Sequence, residues 1–173
     1  LIGVVQPAPE AGNAESPAGK HFPLRRVGCA GRISSFTESE DGHLVVTLAG
    51  VARFAVAGEI AGDTPFRVAQ VDYAPYAKDF VGGHGEEEVD RPRLIATLRS
   101  YLIANNLNAD WDRINSASNE RLVNTLSILS PYGPEEKQCL LEAPDLRSRA
   151  EALVALAEME LAARDDGSGT SLQ

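Results

Sequence analysis

The sequence predicts an α+β fold in two lobes, strands first and helices after, and three observations carry that reading. Two strand-like runs, residues 27–36 and 44–56, flank a polar segment, residues 37–43, that contains the turn-forming pair Asp41-Gly42. Gly28, Gly31 and Gly50 interrupt these runs. A glycine inside a strand marks a bulge, a sharp coil or a close backbone approach, so the hairpin belongs to a small, strongly curved, barrel-like sheet. After Pro92 the apolar residues change to helical spacing and keep it almost to the end of the chain.

Taken in order, residues 1–6 form a first strand, and residues 7–23 form a mobile loop, where Pro7, Pro9, Pro17 and Pro23 discourage regular structure. The glycine-rich hairpin follows. Residues 66–73 are a further strand ended by Pro75, with an alternation too irregular to say which face is buried. Residues 1–80 thus make a β-rich subdomain. Residues 81–91, with three glycines and then Glu86-Glu87-Glu88, read as a linker.

Residues 92–164 form the helical subdomain. Its first helix carries Leu94, Leu98, Tyr101 and Leu102 on one face and stops at Asn105-Asn106. Trp111-Asp112 reads as a turn between helices with a half-buried indole. A second helix begins near Ser118 with the stripe Leu122, Leu126 and Leu129. Pro134 opens a third, where Glu135 and Glu136 suit the positive end of the helix dipole. Asp145 caps the last, whose apolar face is Leu146, Ala150, Leu153, Ala157 and Leu161. Residues 165–173 are a disordered tail.

Composition narrows the function. A net charge of −9 opposes a nucleic-acid surface, and the densest basic cluster, Arg25-Arg26 with Arg32, is small. Cys29 and Cys139 lack CxxC spacing and read as buried, reduced thiols of a cytoplasmic protein. No apolar run is long enough for a membrane span. The segment from Gly12 to Gly19-Lys20-His21 is not a P-loop: six residues separate its glycines, and His21 stands where Ser or Thr must reach Mg²⁺. His21, His43 and His84 have no metal-ligand spacing, Ser34-Ser35 has no base nearby in sequence, and Lys20, Lys78 and Lys137 lack a peptidase context. The sequence therefore offers no catalytic residue, no cofactor and no metal.

Residues 27–54, VGCAGRISSFTESEDGHLVVTLAGVARF, resemble the signature hairpin of the Lon protease N-terminal domain, in the form found in small stand-alone bacterial proteins. Residues 1–7, LIGVVQP, are similar to that family's IGxVQP strand, and residues 136–143, EKQCLLEA, with Pro144-Asp145-Leu146 and Arg149, supply a third match. The resemblance implies a PUA-like pseudo-barrel followed by a C-terminal helical bundle. It also implies a non-catalytic substrate-recognition module that contacts unfolded or extended polypeptides, with a separate Lon-type protease as a further partner. Family members usually begin with an additional strand and a helix bearing an FExRY-like motif; neither is visible before Leu1, through truncation or through loss, and the barrel is then expected to carry an unpaired edge. Polypeptide-contact or inter-lobe roles fall to Arg32, Phe36, Arg53, Phe54 and Lys137, with Arg53 expected to pair with an acid of the helical lobe. Two alternatives stay open: a hydrolase with an unrecognised site, and an RNA-binding module suggested by the PUA-like fold.

Overall fold

A computed structural model of the chain describes residues 1–9 and 22–168. The fold is α+β, and the chain divides into two units, Leu1–Gly82 and Gly83–Gln173.

The first unit is an antiparallel meander of four strands: β1 (Ile2–Val4), β2 (Val27–Glu38), β3 (Leu44–Ile60) and β4 (Val68–Asp72), paired in chain order. The two hairpin strands run further than expected, to Glu38 and to Ile60, and the first strand is shorter, ending at Val4. Of the expected loop, residues 10–21 lie outside the described residues, and with them the Gly12–His21 motif. The stems on either side are joined by Ala8 N donating to Pro23 O and Arg25 N donating to Gln6 O, both at 2.9 Å.

Phe54 centres this unit's core, with Ala30 and Ala52 buried beside it and Tyr73 edge-on at 6.0 Å. Gly28 exists for that ring. A Cβ there would lie 2.7 Å from both Phe54 Cζ and Val5 Cγ2, closer than real contacts allow. Gly31 pairs with Gly50, while the preceding Ala30 pairs with Ala52, so Val51 is an extra residue on β3, a bulge. At the turn, Gly42 takes φ 80°, the left-handed conformation expected of the Asp-Gly pair.

The second unit holds α1 (Arg91–Ala104), α2 (Trp111–Ser116), α3 (Asn119–Leu129), α4 (Pro134–Glu142) and α5 (Leu146–Ser168). Its core joins Val89, Leu94, Leu122, Val123, Leu140, Leu146, Ala150, Leu153 and Val154. The helix starts follow local chemistry. Asp90, Asp110, Ser118 and Asp145 accept from the backbone N–H three residues on, at 3.0, 3.1, 3.3 and 2.7 Å. Residues 83–89 close onto α3: Gly83 N donates to Glu120 Oε2 and Glu120 N to Glu86 Oε1, both at 2.7 Å. The Ser118 hydroxyl and that Glu120 N–H hold the Glu86 carboxyl below its usual range.

Three expectations are corrected. Trp111-Asp112 opens a helix rather than a turn, because Asp110 caps it; the Trp111 ring lies under the Arg99 guanidinium at 4.5 Å. Leu129 is exposed, and Val123 takes its place in the core. The last helix continues through residues 165–168; residues 169–173, the remainder of the expected tail, lie outside the described residues.

Candidate functional site

Beyond its glycine-rich base, the β2–β3 hairpin runs on as a two-stranded ribbon. β1 pairs with β2 only at Cys29–Gly31, and β4 pairs with β3 only from Ala55 onward. Among the described residues, the backbone of residues 32–38 and 44–49 therefore has no third strand on either side. Alternation places Leu44, Val46 and Leu48 on one face of β3. Their register partners Glu38, Phe36 and Ile33 share that face. The opposite face carries Val45, Thr47 and Ala49 against Thr37, Ser35 and Arg32. One face is thus apolar apart from Glu38 at its end, and the other is mostly polar. Phe36 is 71% exposed, Leu44 63% and Ile33 47%.

This apolar face is not an extension of the core. Residues of β2 alternate without interruption from Val27 to Ile33, so Gly28 and Ala30 lie on one side and Gly31 and Ile33 on the other. The core residues Phe54 and Ala52 pair with Gly28 and Ala30, whereas Leu48 pairs with Ile33. The Val51 bulge thus turns the outer apolar residues to the side opposite the core. A second irregularity makes Ser34 the extra residue on β2, and its hydroxyl donates to Thr47 O at 3.1 Å.

The turn is tightly bonded. Ser39 N donates to His43 O at 2.8 Å and Gly42 N to Ser39 O at 2.9 Å. The Ser39 hydroxyl also donates to the Asp41 carboxylate, and His43 Nδ1 lies 2.9 Å from Asp41 Oδ2. These contacts, the Ser39 hydroxyl first and His43 next, hold Asp41 below the usual carboxylate range. Glu38 and Glu40 stand exposed beside it, which makes the tip acidic.

Of the residues expected at the site, Arg32 and Phe36 come together on this ribbon, on opposite faces. Arg53, Phe54 and Lys137 make contacts inside their own units. Phe54 is 2% exposed. Arg53 is also buried, and its acid is Asp79, in the 3-10 segment Ala74–Phe80 of the same unit rather than in the helical lobe. Arg53 Nε and Nη2 donate to Asp79 Oδ2 and Oδ1 at 2.8 and 2.7 Å, and the guanidinium lies 4.7 Å from the Tyr76 ring centre. Lys137 Nζ donates to the carbonyls of Ser127, Ile128 and Ser130 at 2.8, 2.7 and 2.5 Å, closing the C-terminal end of α3; burial lowers its pKa. Ile33, Leu44, Val46 and Leu48 were not foreseen. Their alternation was visible, but alternation does not say which face a neighbour covers.

Chemistry elsewhere is sparse. No group of three or more His, Cys, Asp or Glu side chains is placed to hold a metal among the described residues. Neither cysteine forms a disulfide; Cys139 is exposed rather than buried, and Cys29 is partly buried. A void of about 30 Å³ between α1, α3 and α5, lined by Leu94, Tyr101, Leu126 and Tyr132, has room for about one water. A charged cleft of about 160 Å³ beside Arg93 and Arg147 is lined by no His, Ser or Cys. Among the described residues, no helix is long and apolar enough to cross a membrane.

A profile of the ATP-dependent protease La (LON) substrate-binding domain matches residues 2–158. Comparison with curated proteins finds no match. Among solved structures, a Lon N-terminal domain protein from Xanthomonas campestris is similar, at 21% identity and a TM-score of 0.49, over 76% of this chain and 68% of that one.

Proposed function

Because this chain belongs to the family of the ATP-dependent protease La (Lon) substrate-binding domain, we propose that it is a non-catalytic module that binds unfolded or extended polypeptides through the apolar face of its hairpin ribbon. The observation that carries the reading is that face itself: Ile33, Phe36, Leu44, Val46 and Leu48, on the side away from the core. Among the described residues no third strand flanks this ribbon, and its apolar face is not part of the unit's core. Burying one such side chain is worth about 1.5–3 kcal/mol, so the five on this face gross about 8–15 kcal/mol, and ordering costs of several kcal/mol still leave the roughly 5–8 kcal/mol of a dissociation constant of order 1–100 μM within reach. The open backbone edges add main-chain hydrogen bonds that any extended polypeptide can make.

The non-catalytic part of the reading rests on the family being the substrate-binding domain and not the protease. The bulges along β2 and β3 support a PUA-like pseudo-barrel for the first unit, since each bends its strand. A separate Lon-type protease is the natural recipient of captured polypeptide, and a cytoplasmic location fits that partner.

Titrating a fluorescent unfolded polypeptide tests the reading. Wild-type protein should bind it in the micromolar range with only modest salt dependence, Phe36→Asp and Val46→Asp should abolish binding without unfolding, and neither ATP nor casein should be hydrolysed. Binding that survives both substitutions would remove the hairpin from the site. Tighter binding of single-stranded RNA with a steep salt slope would replace a polypeptide by a nucleic acid.

A further inference from the structure

Resting on that reading, we infer that the hairpin selects among polypeptides: its preferred occupant is an apolar segment adjoining lysine or arginine. The argument begins with where charge sits on the ribbon. Glu38 is the one charged residue on the apolar face and lies at its outer end, opposite Leu44. Glu40 and Asp41 follow in the turn, so the apolar strip ends in three carboxylates. Asp41 is engaged by Ser39 and His43, whereas Glu38 and Glu40 are exposed to solvent. Arg32, at the other end of the ribbon, lies on the opposite face. A bound segment therefore meets apolar side chains along its length and negative charge at one end.

Two features disfavour a second copy of the chain as the occupant. The exposed apolar side chains present on the order of 500 Å² per copy, short of the roughly 800 Å² per partner of a standard stable interface. A face-to-face pair would also set each Glu38 against the apolar side chains of the other copy, burying a carboxylate with no cation opposite it on that face. A basic residue at the end of a client segment removes that cost. It also favours encounter with a chain whose net charge is −9.

The test uses the full chain and two labelled, end-capped peptides that share one Leu/Val/Phe-rich core, one flanked by Lys-Lys and the other by Glu-Glu. At low salt the lysine-flanked peptide should bind about fivefold tighter, as expected for one or two solvent-exposed charge pairs, and the gap should close as salt is raised. The double variant Glu38→Lys/Glu40→Lys should reverse the preference while leaving the thermal midpoint near that of wild type, because both side chains are exposed. Equal affinity for the two peptides, or a preference unchanged in the double variant, overturns the inference and leaves polypeptide binding standing. Failure of both peptides to bind overturns the polypeptide reading and the selectivity with it. Concentration-dependent dimerisation that Phe36→Asp abolishes gives the face to a second copy and overturns the inference as well.

Discussion

The base and the outer half of one hairpin share strands, register and an apolar composition, yet they do opposite things. At the base, Gly28, Ala30, Ala52 and Phe54 are buried, and the guanidinium of Arg53 is locked to Asp79. In the outer half, Ile33, Phe36, Leu44 and Val46 are exposed. The change of role occurs at Val51, where one extra residue turns the apolar side of the ribbon away from the core. Hydrophobicity alone thus does not distinguish a covered strand from an exposed one. The distinction lies in whether a neighbouring element covers the face.

Substitutions at the base and at the outer half should separate these roles. The single tryptophan, Trp111, lies in the helical unit and reports on that unit, so the β unit is best followed by hydrogen exchange at β2 and β3 amides. Phe54→Ala should have the largest effect, a loss of about 3–5 kcal/mol from the cavity it leaves. Exchange protection that survives in β2 and β3 would mean that Phe54 is not the centre of this core. Asp79→Ala should cost about 3 kcal/mol, because it strands the buried Arg53 charge; an unchanged exchange rate would show that water or another acid takes over.

Gly28→Ala should cost about 1–3 kcal/mol by forcing a methyl into Phe54 and Val5. Gly50→Ala should change stability by no more than about 0.5 kcal/mol, since its nearest prospective neighbour is Cys29 Sγ at 3.9 Å. Equal costs at the two positions would erase the distinction between close approach and open strand. The smallest effect on folding, within about 0.5 kcal/mol, is expected for Phe36→Ser and Leu44→Ser, both exposed. Those two variants should nevertheless lose measurable polypeptide affinity. A large loss of stability instead would place the outer face in the fold's own core.

Local chemistry made much of the chain legible. Asp41-Gly42 specified the hairpin turn because Gly42 takes a left-handed φ of 80°, and Asp145 and Ser118 specified helix starts because their side chains satisfy free backbone N–H groups. α2 escaped notice because six residues, Trp111–Ser116, are too few to show a helical period. Three of the five residues expected at the site, Arg53, Phe54 and Lys137, carry conspicuous charge or aromatic bulk that makes contacts inside their own units. Composition and motif could not separate a cation that caps a helix from one that meets a partner.

By itself the sequence determined the α+β order, the hairpin and its turn, most helix boundaries and the family, because these rest on residues adjacent in the chain or on motif spacing. Only the tertiary structure decided which face of the hairpin is covered. Leu44, Val46, Leu48, Ala52 and Phe54 all fall on even positions, and unbroken alternation would set them on one face. The bulge at Val51 divides them, sending Ala52 and Phe54 into the core and the other three to the opposite side, where Leu44 and Val46 are exposed and Leu48 is half-buried. That bulge is a property of pairing between strands, and the alternation of either strand alone does not reveal it.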